Sequence, residues 1–247
     1  MRLAPSLLRP GLVHLFLARP EALLKAAPQH EAWLSREERA RAQAYRQPGD
    51  SARYRATRAL VRGVLSGLTA RPAGQLAFVE FPHGRPGLRP APQGLDFNAS
   101  RSHGLLALVV TCEASCGVDV EDVTRKVDVL GVARAFAPEE KAWLEGQGAE
   151  DARQNFFRLW TLKEATLKAL GSGLTLGLRA AAFRLVAGET PRVRFGPALQ
   201  EAPSDWAFTQ LAPDSGHVVA VAVRRACPVD FVVHDDTETR AAVAEAA

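Results

Sequence analysis

The 247-residue sequence predicts an α+β protein with two similar lobes, each a small antiparallel sheet packed with helices. Each half of the chain combines helical segments with about three strand-like segments, and these lack the strand–helix–strand order of a parallel sheet. The composition is 47% hydrophobic, which is enough to bury a sizeable core. We therefore expect one lobe at 1–115, a second at 116–229 and a flexible tail at 230–247.

In the first half, the predicted elements begin with an apolar strand at 11–18. Ser35 is a candidate N-cap, and Glu38 three residues later completes a capping box, so a helix should run from there to about Tyr45. Residues 51–68 should form a second helix, since Leu and Val recur on one face of a helical wheel and Arg occupies another. Further strands are predicted at 76–81 and 105–112.

In the second half, residues 117–121 form a strand pattern in which apolar and acidic side chains alternate. The longest predicted helix spans 155–170 and should end at Gly171 and Gly173, because glycine commonly terminates helices. The other predicted elements are helices near 127–136 and 138–145 and strands near 182–186, 206–211 and 217–224.

The charge of the chain is unevenly distributed. Residues 1–116 contain 16 Lys and Arg against 8 Asp and Glu, whereas residues 117–247 contain 15 against 19. A basic first half can attract a polyanion. It lacks the interleaved aromatic and basic residues of a nucleic-acid-binding surface, so we expect no nucleic-acid partner.

The sequence predicts a cytoplasmic protein with no membrane association. Pro5 and Arg9 interrupt the apolar residues near the N-terminus, which therefore resembles neither a signal peptide nor a membrane span. Cys112, Cys116 and Cys227 are not part of a zinc-binding pattern, because no Cys-x-x-Cys pair or nearby His completes a ligand set. We expect these three cysteines to be reduced, packed thiols.

The strand at 117–121 carries two acidic side chains on one face. Because side chains alternate along a strand, Asp119 and Glu121 point one way while Val118 and Val120 point the other. Two carboxylates two residues apart supply the hard oxygen ligands that Mg²⁺ prefers. The same pattern also occurs on an ordinary solvated strand face, so it has to be judged together with the long helix.

The long helix adds a carboxylate and an ammonium group. Glu164 and Lys168 share one face at the four-residue spacing, either as an ordinary surface ion pair or as part of a site for a divalent cation and its diphosphate. Lys163 lies instead in the middle of an apolar arc of Leu and Phe. Its ammonium group either extends to solvent or reaches a phosphate or an acidic partner in a cleft.

These segments resemble the motifs of the 4′-phosphopantetheinyl transferases of the long, two-lobed Sfp type. Gly-Val-Asp-Val-Glu at 117–121 is similar to the family's Gly-(Ile/Val)-Asp-(Ile/Val)-Glu strand, and 160–168 to its Trp-x-x-Lys-Glu-(Ala/Ser)-x-x-Lys helix. Residues 97–102 resemble its Phe-Asn-x-Ser-His-Ser turn, and 84–86 its Gly-Lys-Pro turn. Weaker similarity covers 34–45, 53–65 and 136–140, and all of these blocks occur in the family's order.

The resemblance implies an enzyme of the holo-[acyl-carrier-protein] synthase type. Such an enzyme transfers the 4′-phosphopantetheine arm of coenzyme A to a serine of an apo acyl or peptidyl carrier protein and releases adenosine 3′,5′-bisphosphate. It implies Mg²⁺ as the cofactor and coenzyme A bound between the lobes of a pseudo-dimer, and because one chain contains both lobes we expect a monomer. Arg125, Lys126 and Arg134 are candidate contacts to the carrier, since carrier helices are commonly acidic.

The resemblance also implies roles for individual residues. Asp119, Glu121 and Glu164 would hold the metal ion, and Lys168 would place a positive charge on the diphosphate. Glu164 would help to remove the serine proton, directly or through a water molecule, and Lys163 is a second candidate near the reacting centre. The residues expected to line the coenzyme A site are Arg41, His83, Arg85, Ser100 and Arg101, together with Asp119, Glu164 and Lys168.

The sequence departs from the family pattern at Arg101, where the family usually has histidine. Arginine stays charged and can bind a phosphate through two nitrogens, so nucleotide binding could survive or tighten, whereas any role of a neutral imidazole would be lost. This departure supports an alternative hypothesis, a catalytically silent homologue that binds coenzyme A or a carrier protein without transfer. The complete set of carboxylates favours the transferase.

Overall fold

The computed structural model describes residues 3–225 and 227–246, apart from the side chain at position 174. The first part of the chain, up to residue 112, contains four helices and five strands among the described residues. The helices are α1 (Pro20–Ala26), α2 (His30–Trp33), α3 (Arg36–Gln43) and α4 (Pro48–Thr69). The strands are β1 (Leu12–Ala18), β2 (Ala77–Glu80), β3 (Pro86–Arg89), β4 (Leu95–Arg101) and β5 (Leu106–Cys112).

The rest of the chain repeats this order of elements and then extends it. The helices are α5 (Val129–Ala133), α6 (Pro138–Glu145), α7 (Ala149–Leu170) and α8 (Asp236–Ala244). The strands are β6 (Ser115–Asp122), β7 (Ala181–Arg184), β8 (Arg192–Phe195), β9 (Trp206–Asp214), β10 (His217–Arg224) and β11 (Asp230–His234).

Most of the predicted elements are confirmed, and the differences concern one helix start and several short helices and strands. The capping box of Ser35 and Glu38 begins α3, and Gly171 ends α7 in the left-handed conformation with φ 67°. The helix predicted at 155–170 starts six residues earlier, at Ala149. Residues 97–102, which were expected to form a turn, instead lie in β4 and directly after it. Strands β3 and β8 and helices α1 and α2 were not predicted.

The structure has the predicted α+β class with two similar lobes. One sheet has the strand order β11-β1-β5-β4 and the other the order β6-β10-β9, while β2–β3 and β7–β8 form separate hairpins. Strands β1, β5 and β4 therefore correspond to β6, β10 and β9. The pairs within both sets are antiparallel, as predicted, but β11 adds to β1 in parallel.

A buried ion pair occurs at equivalent places in the two lobes and supports their relationship. In the first, Glu38 at the start of α3 accepts a hydrogen bond from Arg62 of α4, a helix of 22 residues. In the second, Glu140 at the start of α6 pairs with Lys163 of α7, also of 22 residues. Both cations then donate to backbone carbonyls of the segment that follows their long helix.

Strand β6 separates apolar from acidic side chains, as the alternation predicted. Val118 and Val120 are buried in a core between the two sheets, where they lie in one cluster with Leu15 of β1 and Val219 of β10. Each lobe has its own core on the other face of its sheet, against α4 and α7 respectively. Asp119 and Glu121 consequently project on the side where α7 crosses the sheet.

The structure differs from the flexible tail predicted at 230–247. Residues 230–234 pair with β1, and α8 packs against the first lobe with Ala242 and Val243 buried in its core. A Cβ atom at Gly63 of α4 would lie 2.6 Å from the Val243 side chain, so a glycine is needed for α8 to approach this closely. This segment has few apolar residues, so the sequence alone did not indicate that it packs against α4. Within the described residues, no helix is both long and apolar enough to cross a bilayer.

Candidate active site

The candidate site is built where α7 crosses β6. A Cβ atom at Gly117 would lie 2.0 Å from the carbonyl oxygen of Ala165, so only glycine allows this close approach. Gly117 and Asp119 lie on the same face of β6, and the crossing therefore brings the second half of α7 beside Asp119. This close approach is the physical reason for glycine at position 117, the first residue of the acidic motif at 117–121.

Asp119, Lys168 and Ser100 form one hydrogen-bonded group that joins the two lobes. Nζ of Lys168 lies 2.7 Å from Oδ1 of the buried Asp119 and donates to the Val118 carbonyl at 3.0 Å. The Ser100 hydroxyl, on β4 of the other lobe, donates to the same Oδ1 at 2.9 Å and accepts from Lys168 at 3.2 Å. Three of the residues predicted for the site are thus in direct contact.

Glu121 and Glu164 lie in the same electrostatic environment as Asp119. Burial and the neighbouring Asp119 carboxylate raise the pKa of Glu121 to about 7, although Arg125 lies 3.0 Å from its carboxylate. Burial and Asp119 also raise the pKa of the half-buried Glu164. The three carboxylates therefore share a region in which negative charge is unfavourable unless a cation neutralises it.

The donor atoms fit a hard divalent cation. Oδ2 of Asp119 is buried and has no hydrogen-bond partner, which is costly for a carboxylate oxygen that no cation binds. Within the described residues, no group of three His, Cys, Asp or Glu side chains is already gathered as a metal cluster. Asp119 pairs instead with Lys168, and Glu121 pairs with Arg125. The set of carboxylate oxygens suits Mg²⁺, and Asp119 Oδ2 is the atom most available to it.

Arg85 joins the lobes beside this site. Its guanidinium group donates to the Lys168 carbonyl, to the Asp96 carboxylate at 2.6 Å and to the Cys116 carbonyl at 2.9 Å. Both terminal nitrogens, which were expected to contact phosphates, therefore already bind protein groups. The neighbouring His83 has a φ of 62°, and its Cβ lies 3.4 Å from where a Cβ at Gly173 would be.

Arg41 and Arg101 lie together on the first lobe, around an aromatic residue that the sequence did not single out. The guanidinium carbons of Arg41 and Arg101 lie 5.7 and 6.0 Å from the centre of the Tyr54 ring. Arg101 also donates to the Tyr45 hydroxyl at 3.2 Å and lines a cavity of about 260 Å³. Because Arg101 follows Ser100 in β4, the two side chains project to opposite faces of the strand.

Lys163 does not lie near the reacting centre, which corrects its assignment as a candidate catalytic residue. Its ammonium group is buried in the second lobe, 2.6 Å from Glu140, and donates to the carbonyls of Leu178 and Ala181 at 2.8 and 2.6 Å. These three partners use all three N–H donors of the ammonium group. The acidic partner foreseen for Lys163 exists, but it belongs to the core and not to the cleft.

Sequence reasoning missed a row of polar side chains that accompanies Ser100 along β4. Asp96, Asn98, Ser100 and Ser102 all accept hydrogen bonds from backbone N–H groups of β6. The signal was present as polar residues at every second position from 96 to 102. It was interpreted as a turn because the strand could not be recognised without its partner.

A cavity of about 850 Å³ lies away from the carboxylates. It is lined by β9, β10 and the first half of α7, including Arg158, Gln210 and His217. The chemistry of the site is therefore located by the buried acidic and basic side chains and not by cavity size.

Comparison with known proteins identifies relatives. The model of the 4′-phosphopantetheinyl transferase superfamily matches residues 115–222. The chain is 35% identical over 217 residues to the 4′-phosphopantetheinyl transferase HetI of Nostoc sp., covering 85% of this chain and 87% of that protein. It is 32% identical over 161 residues to the 4′-phosphopantetheinyl transferase psf-1 of Bacillus pumilus, covering 65% and 68%. A holo-(acyl-carrier-protein) synthase of Bacillus anthracis, solved in complex with CoA (3′,5′-ADP), is 15% identical with a TM-score of 0.38, covering 46% of this chain and 96% of that one.

Proposed function

The chain belongs to the 4′-phosphopantetheinyl transferase superfamily, and we propose that it transfers the 4′-phosphopantetheine arm of coenzyme A to a serine of an apo acyl or peptidyl carrier protein. Mg²⁺ is the proposed cofactor and adenosine 3′,5′-bisphosphate the second product. The observation that carries this proposal is the buried, unpartnered Oδ2 of Asp119, which lies beside Lys168 and whose carboxylate helps to raise the pKa of both Glu121 and Glu164. The relatives' names support the same class of reaction.

The proposed reaction is a substitution at phosphorus. The carrier serine oxygen attacks the phosphorus next to pantetheine, the bond from that phosphorus to the bridging oxygen breaks, and the oxygen leaves with adenosine 3′,5′-bisphosphate. Mg²⁺, when bound to Asp119, Glu121 and Glu164, would neutralise charge on the diphosphate. Lys168 would place a fixed positive charge beside the diphosphate, since Asp119 and Ser100 orient its ammonium group.

The proton of the carrier serine requires an acceptor. Glu164 is the proposed base, directly or through a water molecule, because it is half-buried next to Asp119 and forms no ion pair among the described residues. Lys163 is not part of this mechanism, since its donors are used within the core. The arginines around Tyr54 are the proposed contacts for phosphates of the nucleotide.

The proposed carrier contact is a basic surface on and before α5. Arg125, Lys126 and Arg134 flank Leu130 in the sequence, and Leu130 is 44% exposed. An exposed apolar residue within a basic surface suits a partner helix that is acidic and has one apolar anchor. Arg125 also pairs with Glu121 at 3.0 Å, so this surface adjoins the carboxylates.

The test is a transfer assay followed by mass spectrometry of the carrier. The protein is incubated with coenzyme A, MgCl₂ and several apo carrier proteins, and we expect a mass gain equal to the phosphopantetheine arm that a chelator abolishes. Asp119→Ala and Glu164→Ala should each lower the rate at least about a hundredfold while the protein stays folded. Glu145→Ala, which removes an exposed acid of α6, is the matched control. Coenzyme A binding without transfer to any carrier would instead support the silent homologue.

A further inference from the structure

Strands β4 and β6 are joined by side chains and not by a backbone ladder, and we call this junction the seam. Side-chain oxygens of Asp96, Asn98, Ser100 and Ser102 accept from the N–H groups of residues 116, 118, 120 and 122. The donor–acceptor distances are 2.9, 3.0, 3.4 and 2.8 Å, and each pair is separated by 20 positions in the sequence.

The geometry of the seam follows from the alternation along β6. N–H groups of successive strand residues point to opposite edges, so those of 116, 118, 120 and 122 share the edge that β10 does not use. Directly paired strands lie about 4.8 Å apart. Because a side chain is inserted in each of these hydrogen bonds, β4 and β6 lie farther apart than directly paired strands. The same side chains give the N–H groups on the free edge of β6 their acceptors.

This wider junction gives the site its place between the lobes. At the level of Asp119, the Ser100 hydroxyl contacts the Val120 N–H group, the Asp119 carboxylate and the Lys168 ammonium. At one end of the seam, Arg85 binds Asp96 and the Cys116 carbonyl. The seam therefore sets the position of the strand that carries the acidic residues relative to the other lobe.

We propose that Asn98 is a positioning residue for the transfer site. Asn98 is buried in the middle of the seam, and its Oδ1 holds the N–H group of Val118, directly before Asp119. It touches neither the carboxylates nor Lys168 through any described hydrogen bond. Removing its oxygen leaves a buried N–H group without an acceptor, so β6 must shift to restore one, and Asp119 moves with it. This inference rests on the proposed transferase function.

The experiment compares Asn98→Ala with Asn98→Ser and with the control Gln210→Ala. Serine already serves as the acceptor at positions 100 and 102 of the same seam, so Asn98→Ser keeps the required chemistry. Gln210 lies on β9 and donates to the Arg158 carbonyl and to Thr161, so its removal breaks comparable hydrogen bonds away from the seam. Transfer kinetics and hydrogen exchange of the peptide 115–122 are measured for each variant.

For Asn98→Ala we expect kcat to fall about ten- to a hundredfold, as for a small misplacement of reacting groups, with KM for coenzyme A within about twofold. Exchange of the β6 amides should become at least about tenfold faster. Asn98→Ser should keep most of the wild-type kcat and most of the wild-type protection of the β6 amides. Gln210→Ala should change neither kcat nor amide exchange.

Unchanged exchange of the β6 amides in Asn98→Ala would overturn the proposal, whether or not the protein is an active transferase. The proposal would also be overturned if Asn98→Ser lost as much kcat as Asn98→Ala while the β6 amides of Asn98→Ser stayed protected. Wild-type protein that transfers nothing would refute the transferase function, and the exchange data would then still decide whether Asn98 holds β6.

Discussion

Lys163→Met is the substitution that most directly tests the position of Lys163, the first of the two lysines of α7. The variant keeps a long apolar stem but leaves Glu140 without its cation, in a pair whose two side chains are each 1% exposed. Removing one partner of a buried ion pair costs about 3–5 kcal/mol. Glu140 retains hydrogen bonds from the N–H groups of Ala137 and Phe183. We therefore expect the free energy of unfolding to fall by about 3 kcal/mol, the lower end of this range.

The measurement is urea unfolding at pH 7, together with thermal unfolding. For a chain of this size we expect the melting temperature to fall by about 6–12 °C, at about 2–4 °C per kcal/mol. Lys141→Met, which breaks an exposed pair on α6, should change the unfolding free energy by less than about 0.5 kcal/mol.

The double variant Lys163→Met, Glu140→Leu separates the lost pair from the packing around it. It should recover much of the stability, since replacing both members of a buried pair by apolar groups is often neutral. A Lys163→Met protein as stable as wild type would contradict the buried pair. A folded Lys163→Met protein that has lost transfer would show that this lysine acts in the cleft after all.

Three further perturbations test other parts of the structure. Gly117→Ala should lower stability and transfer together, because its Cβ would lie 2.0 Å from the Ala165 carbonyl; circular dichroism melts and the transfer assay check this. Burial lowers the pKa of both His14 and His234, which contact each other at 3.1 Å, so the unfolded chain takes up protons first as the pH falls through about 6.5. The contribution of these two histidines to the unfolding free energy should therefore fall below that pH, whereas Glu121, whose pKa is raised to about 7, contributes with the opposite sign. A urea midpoint that falls no more between pH 7 and 5 in the wild type than in a His14→Phe, His234→Phe variant would contradict this. Arg101→His should make KM for coenzyme A rise as the pH increases through about 6.5, where histidine loses its charge, whereas KM of the wild type should lack this step.

The elements of the fold were largely predictable because their signals are local. The capping box of Ser35 and Glu38 and the terminal Gly171 act within one helical turn, and both occur where the sequence placed them. Strand β4 was not recognised because its polar residues at alternate positions face another strand. The alternation of polar residues from 96 to 102 was a local signal, but it did not show which strand those side chains face.

The candidate site was predictable to the extent that its motifs lie on single elements. Asp119 and Glu121 share a strand face, and Glu164 and Lys168 share a helix face, so each pair follows from the spacing alone. Tyr54 was not predicted as part of the site, because the sequence of α4 does not indicate that Arg41 and Arg101 lie over its ring. That arrangement depends on β4 and α4 packing together.

By itself, the sequence predicted most of the helices and strands, and it predicted that two carboxylates share a strand face and that a carboxylate and an ammonium group share a helix face. Only the tertiary structure decided that Lys168 faces the cleft while Lys163, five residues earlier, is buried against Glu140. It also decided that residues 230–246 complete the first lobe, and that β4 holds β6 through side chains. The physical reason is that propensity and spacing act over a few residues, whereas the partner of a buried charge or of a strand edge is set by how distant segments pack.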